Sequence, residues 1–389
     1  MRYLILPNEL WIAGAGSGKT QKIILDAIDT INAGGRVLVV TYTTNNQAEL
    51  RSRFIKLYGR SSADFVVKGL LSFYLEDIIR PYQKVVFSER IASSTFTENN
   101  PHVIPGTTIW RANRQEKIGK NINPLHYLSP CRTSAYSGLL AKLAALVSKL
   151  SKNAPAQRLK AIYQKVFFDE VQDLVGWDYD VIKALSRELP HSICCVGDFR
   201  QTIYTTTYGQ KKPLTRTEKI KYFSDIKFQP HSLNKNRRCM QKICDLSDLI
   251  HPDQNCKTES EVKVVPQAIA NHLGVFVIRQ SQISVYLETF NPQVLRWSST
   301  VGKKFLPEDL ICYSFGSCKG LGFDRVLVIA PEKHLKFLSG DHTAFDNDKT
   351  EESRNKLYVA ITRARYSLAF VVDEKYLEKL PFPLWNAAE

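Results

Sequence analysis

Apolar positions in this chain gather into short β-branched runs, and amphipathic stretches of helical period separate them. Residues 36–42, RVLVVTY, suit a strand buried on both faces of a parallel sheet. Residues 43–57 predict a helix with Leu50, Phe54 and Leu57 on one stripe, residues 65–67 a short strand, and residues 70–79 another helix. Ahead of these, the apolar residues 3–6 with Trp11 and Ile12 lead into a glycine-rich turn and a helix-like segment, residues 21–31. Alternating strand and helix predict a doubly wound α/β domain.

The pattern changes over residues 81–160. Polar, Asn-rich and basic stretches carrying Arg111, Arg114, Lys117 and Lys120 surround an Ala/Leu/Lys helix at 137–150. This reads as a small helical insertion whose charges either touch nucleic acid or form a solvated face. Strand signals resume at 165–173 (KVFFDEVQD) and 192–204 (SICCVGDFRQTIY). Residues 230–248 read as a strand end followed by a helix carrying Arg237 and Arg238. Strands at 275–278 and 294–297 flank a helix at 283–290, and 312–330 joins a polar loop, KGLGFD, to an apolar strand. Residues 351–369 predict one helix that packs Leu357, Val359, Ala360 and Ile361 inward and presents Arg363 and Arg365 at its far end. No linker is rich in Gly and Ser, so a second α/β layer of similar size is expected.

Composition narrows the class. The 389 residues are 44% hydrophobic and 23% charged, which describes a globular chain of two or three domains. No apolar run approaches the ~20 residues of a membrane helix, and the first residues lack the order of a signal peptide. A cytoplasmic protein without membrane contact is expected. The net charge of +15 favours a polyanionic partner, with a merely solubilising surface as the alternative. The eight cysteines have no regular spacing, and Cys239, Cys244, His251 and Cys256 match no metal-knuckle pattern.

The chemistry concentrates in a few motifs. In AGAGSGKT, residues 13–20, the glycines Gly14, Gly16 and Gly18 let successive N–H groups turn inward toward a phosphate chain. Lys19 can reach the terminal phosphates, Thr20 can hold Mg²⁺, and the helix that follows favours an anion at its start. A plain glycine-rich turn is the alternative. The strand at 165–169 ends in adjacent acids: Asp169 suits the metal, and Glu170 suits orienting and deprotonating the attacking water. Gln201 sits where a side-chain amide could sense the terminal phosphate. Arg363 and Arg365 suit an arginine finger, or else a basic helix end.

In this order, AGAGSGKT, VVTYTTNNQAEL, FFDEVQD, VGDFRQTIY, LNKNRR, CKGLGFD and LYVAITRAR span nearly the whole chain and resemble the UvrD/PcrA/Rep-like superfamily 1A DNA helicases. The resemblance implies two RecA-like parallel-sheet domains in tandem with ATP in the cleft between them. The first domain would occupy residues 1–80 and 161–225 and the short insertion 81–160. The second would occupy 226–389, with the family's second insertion largely absent. It further implies that Ala13, Gly14, Ala15, Gly16, Ser17, Gly18, Lys19 and Thr20 cradle ATP, with Thr20 and Asp169 on Mg²⁺. Glu170 would be the base, Gln201 the γ-phosphate sensor, and Arg238 and Arg363 the arginines of the second domain. Arg237 and Gly320 would border the nucleotide. Thr41, Tyr42, Thr43, Ser72, Tyr204, Tyr208, Ser317 and Lys319 would contact DNA.

Several positions depart from the family's pattern. The upstream glutamine segment that reads adenine has little room before residue 13. Arg237 stands where relatives use Tyr, Gly322 replaces a ribose-contacting glutamate, and Thr206 stands where a base-stacking Trp is expected, with Tyr208 as a substitute. Base–aromatic stacking is worth about 1–3 kcal/mol per base, so strand gripping should be weaker. With the hydrolytic set intact and the gripping parts trimmed, two readings lead. One is a minimal ATP-dependent translocase or helicase on single-stranded or tailed DNA, moving 3′ to 5′. The other is a DNA-sensing ATPase subunit that switches a partner nuclease, as in a two-gene anti-phage system such as Gabija. A non-hydrolysing nucleotide-binding module and an RNA substrate are further alternatives, the former opposed by Lys19, Glu170 and Arg363.

Overall fold

The computed structural model describes residues 7–97, 99–202, 212–252 and 257–387. The chain divides into two compact units. The first comprises Met1–Ile12, Lys19–Gly197 and Tyr204–His231; the second comprises Ala13–Gly18, Asp198–Ile203 and Ser232–Glu389. The phosphate-loop segment therefore groups with the second unit, while the helix it opens belongs to the first.

In the first unit six strands form one sheet: β1 (Glu9–Ala13), β2 (Val37–Thr41), β3 (Phe65–Gly69), β4 (Lys165–Asp169), β5 (Ile193–Gly197) and β6 (Gln229–Leu233), in the order β6-β1-β5-β4-β2-β3. The pairs β1/β5, β5/β4, β4/β2 and β2/β3 are parallel. All five residues of β2 are buried, as expected of an inner parallel strand covered on both faces. Helix α1 (Lys19–Asn32) buries Ile23, Ile24, Ala27 and Ile31, one face of a 3.6-residue period. Helix α2 (Thr44–Tyr58) is capped by Thr43, whose hydroxyl accepts from the Asn46 N–H, and is closed by Gly59 at φ 84°.

Leu50 and Phe54 are buried beneath α2, but Leu57 is 46% exposed, which corrects the predicted stripe. At the last turn Tyr58 takes the inward place, its ring 5.0 Å from that of Phe54. The segment after β3 starts as α-helix (Leu70–Phe73) and widens to a π turn (Tyr74–Ile79) that buries Tyr74, Leu75, Ile78 and Ile79.

The insertion contains a parallel pair of short strands, Ser93–Thr95 with Ser134–Tyr136, and a tight hairpin, Lys117–Ile118 with Asn121–Ile122. Its main helix, α3 (Leu140–Leu150), buries Leu140, Ala141, Leu143, Ala144 and Val147. It packs on the π turn and on α4 (Trp177–Glu188), and so belongs to the body of this unit.

In the second unit β7 (Gly274–Arg279), β8 (Gln293–Arg296), β9 (Cys312–Ser314), β10 (Phe323–Ile329) and β11 (Ala364–Val372) form an all-parallel sheet ordered β7-β11-β10-β8-β9. Helices α5 (Gln241–Ile250), α6 (Ile283–Phe290) and α7 (Glu352–Ile361) accompany it. The expectation of one helix over 351–369 is corrected. α7 ends at Ile361 and residues 364–372 form the inner strand β11. The run RYSLAFVV is rich in aromatic and β-branched residues, and burial between two neighbouring strands outweighs its weak helical period. The predicted inward set of α7 holds, with Leu357, Val359, Ala360 and Ile361 all at 0% exposure. No helix among the described residues is long and apolar enough to cross a membrane.

Candidate functional site

The acid pair of the first unit stands at the end of β4, beside the start of α1. Lys19 Nζ lies 3.4 Å from Glu170 Oε1, with both side chains largely buried. Glu170 occupies the left-handed region at φ 57°, a conformation that costs a non-glycine residue energy and tends to persist where function demands it. That turn lets the Glu170 N–H donate to Asp169 Oδ1 at 3.0 Å, and Gln172 Nε2 donates to Glu170 Oε2. Lys19 on one carboxylate oxygen and Gln172 on the other thus orient the base candidate from two sides. Burial, and then the neighbouring Glu170 charge, hold the Asp169 carboxyl above the usual carboxylate range. Those two oxyanions in a buried turn are an environment a divalent cation would relieve. Thr20, the other expected metal ligand, is partly buried in the first turn of α1.

Gln172 was not foreseen, and neither was the reason for Gly197 at the end of β5. A Cβ at 197 would lie 2.6 Å from Gln172 Oε1 and 2.8 Å from Val171 Cγ2, so only glycine leaves Gln172 its place. Lys219, fully buried, donates to the Gln172 carbonyl at 2.6 Å and fixes the same turn from behind.

In the second unit the loop Ala13–Gly18 is held by residues distant in sequence. The Gly14 N–H donates to the Leu233 carbonyl, the Arg237 N–H donates to the Gly16 carbonyl, and Asn236 Nδ2 donates to the Ala15 carbonyl at 2.8 Å. The Ala15 N–H donates to the Tyr358 hydroxyl at 3.0 Å, and that hydroxyl donates to Asp198 Oδ2 at 3.1 Å. Gln201 Nε2 donates to the same Asp198 oxygen at 2.8 Å, so the sensor candidate is tied to the loop through Asp198 and Tyr358. Gly16 is needed for closeness: a Cβ there would meet Asn236 Oδ1 at 2.6 Å and Arg238 Cβ at 2.7 Å. Ser17 Oγ is buried without a hydrogen-bond partner in the structure. An orphaned hydroxyl in a glycine-built loop that ends at Lys19 and opens a 14-residue helix fits a phosphate chain. The residues present therefore fit ATP with a divalent cation.

Arg238, Arg363 and Arg365 cluster in this unit. Burial, and then the charge of Arg363, push the Arg238 guanidinium down to about 10. Arg363 is 1% exposed and donates to the carbonyls of Val359 and Leu321 and to Thr362 Oγ1. It follows α7 rather than ending it, anchored by the backbone of its own last turn. Gly322 borders this cluster, since a Cβ there would sit 3.5 Å from Arg238 Cδ. Arg237 is exposed, its Nε 2.9 Å from Glu261 Oε2, which commits the side chain expected to border the nucleotide to an ion pair. Gly320 lies in the loop before β10 at φ 89°.

The expected DNA contacts are dispersed in role. Thr41 is buried at the end of β2, Thr43 caps α2, Tyr42 is partly buried and Ser72 is exposed. Ser317 is exposed in a turn closed by its own bonds to Ser314, and Lys319 is partly buried. Tyr204 and Tyr208, with Thr206, lie outside the described residues, as does Cys256; Cys239 and Cys244 are buried free thiols.

Comparison with known proteins agrees with these motifs. Residues 7–123 and 125–219 match the UvrD/REP helicase N-terminal domain. The Gabija protein GajB of Bacillus cereus is 26% identical over 265 residues, covering 66% of this chain and 50% of that protein. DNA helicase II of Haemophilus influenzae is 26% identical over 278 residues, covering 61% of this chain and 37% of its own length. The chain thus spans half or less of these relatives. An arterivirus nonstructural protein 10 helicase aligns over 96% of this chain and 62% of its own at a TM-score of 0.43 and 14% identity. With the family model covering more than half of the sequence, in the segments that carry the phosphate-loop lysine and the acid pair, the chain belongs to the UvrD/REP helicase family.

Proposed function

We propose that the chain is a Mg²⁺-dependent ATPase that couples hydrolysis to movement on single-stranded DNA, 3′ to 5′, as a UvrD-type motor. The observation that carries this reading is the buried Lys19–Glu170 pair, with Asp169 beside it and Glu170 oriented by its left-handed backbone and by Gln172. Lys19 reaches the terminal phosphates, where Ser17 Oγ gains its missing partner, while the Gly14 and Ala15 N–H groups hold the loop itself. Glu170 orients the attacking water and takes its proton. Thr20 and Asp169 would hold Mg²⁺, which supplies neutralisation of the charge developing on the phosphates. Arg238 and Arg363 add positive charge toward the transition state, and Gln201 reports the γ-phosphate through Asp198 to Tyr358.

The test is ATP hydrolysis by the purified chain with and without single-stranded DNA, followed by strand displacement on a 3′-tailed duplex. Stimulated hydrolysis with displacement supports the motor, whereas absence of hydrolysis under every condition overturns it. A second reading is a DNA-sensing ATPase subunit that regulates a partner nuclease, favoured by the similarity to the Gabija protein GajB. It expects DNA-stimulated hydrolysis with little displacement by the chain alone.

A further inference from the structure

The positive charge of the chain is unevenly placed. Residues 81–160 hold twelve lysines and arginines against three acids, +9 of the total +15 in about a fifth of the length. None of the proposed hydrolytic residues lies there, so that surplus is not accounted for by the ATP site.

The same segment builds an aromatic ladder. A hairpin closed by the Val103–Trp110 bridge and by the Ile104 N–H to Ile109 carbonyl bond projects Trp110, which is 56% exposed. On its inner side Trp110 stacks on His102 at 5.4 Å and 11°, and His102 stacks on His126 at 4.2 Å and 11°. His126 Nε2 lies 3.1 Å from Lys142 Nζ, and a lysine ammonium can only donate. His126 is therefore neutral, and its Nδ1–H donates to the Arg114 carbonyl at 2.8 Å. Lys142 stands on α3, which packs on α4, so the ladder is anchored in the body of the unit. His102 is 3% exposed and neither ring nitrogen has a hydrogen-bond partner. Burial pushes it down to about 4, which keeps the ring neutral at physiological pH.

A rigid, uncharged stack of three rings thus ends in an indole open to solvent, next to the exposed Arg111, in a segment that also exposes Lys117 and Lys120. An apolar peptide would not explain the surplus of cations; a polyanion carrying flat rings does. We infer that the outward face of Trp110 is a stacking platform for a base of single-stranded nucleic acid, with the surrounding lysines and arginines following its phosphates. The platform supplies from the insertion the aromatic grip that position 206 lacks. The inference rests on the proposed action on DNA.

The test is the affinity of the full chain for a fluorescein-labelled oligothymidylate, with a parallel oligouridylate arm to separate DNA from RNA. Trp110→Ala should weaken binding about 5- to 100-fold, while Trp110→Phe stays within about threefold. Trp110→Ala should also abolish the quenching of tryptophan fluorescence on binding and leave DNA-independent ATP turnover unchanged. Lys117→Gln with Lys120→Gln should flatten the salt dependence by about 1.4 in the log–log slope. If Trp110→Ala lowers the melting temperature, Trp110→Leu against Trp110→Phe decides, because both fill space and only the second stacks. Wild-type affinity and quenching in Trp110→Ala overturn the inference alone and point to a protein partner for this face. Failure of the wild-type chain to bind any oligonucleotide overturns it together with the proposed function.

Discussion

The acid turn of the first unit and the arginine cluster of the second handle charge in opposite ways. At Lys19, Asp169 and Glu170 opposite charges lie together, and each carboxylate is oriented by a backbone or side-chain donor. Around Gly322, Arg238, Arg363 and Arg365 bring like charges together, and Arg238 is depressed by burial and then by the charge of Arg363. The first arrangement holds itself in place, and a cation would complete it. The second is relieved by an anion. On the proposed function, the first would be the set for water activation and the second the set that would answer to bound phosphate.

The sharpest way to break the comparison is at the acid turn. Glu170→Gln should lower ATP turnover by about 10²–10⁴ while nucleotide binding persists, measured by phosphate release and by titration with a fluorescent ATP analogue. Near-normal turnover would remove Glu170 as the base. Arg363→Ala comes next, with turnover expected to fall about 10³ or more if its charge acts on the transition state. Since three hydrogen bonds of a buried guanidinium are lost, the chain should also lose about 2–3 kcal/mol of stability in denaturant titrations. A turnover loss under tenfold, with the stability loss intact, would make Arg363 a structural anchor.

Gly197→Ala tests whether Gln172 positions Glu170. Displacing that amide should cost about 10²-fold in kcat with little change in KM. An unchanged kcat would detach the strand end from the chemistry. Tyr358→Phe removes the hydroxyl between Ala15 and Asp198 and should cost about 1–3 kcal/mol in unfolding free energy. The smallest effect is expected from Thr43→Ala, about 1 kcal/mol from the lost cap. A drop in DNA affinity exceeding that in stability would restore Thr43 as a DNA contact.

Much of the fold was legible locally. The β-branched runs at 36–42, 165–169 and 193–197 became inner parallel strands, and the helix at 283–290 runs over the predicted residues. Legibility failed where burial overrode period. Residues 364–369 carry a weak helical pattern that gave way to strand pairing on both sides, and Leu57 lost its inward place to Tyr58. The insertion's polar stretches hid short strands and a hairpin too brief to leave a periodic signal.

The motifs and their order by themselves determined the family, the two α/β layers and the candidate phosphate, metal and base residues, because each motif's chemistry resides in contiguous residues. Tertiary structure alone decided how those residues are held. The Ala15 N–H meets the Tyr358 hydroxyl 343 positions away, Gln201 reaches Tyr358 through Asp198, and His102 is sandwiched between Trp110 and His126. Such contacts depend on how elements pack, and packing between distant segments imposes no period or spacing on either one.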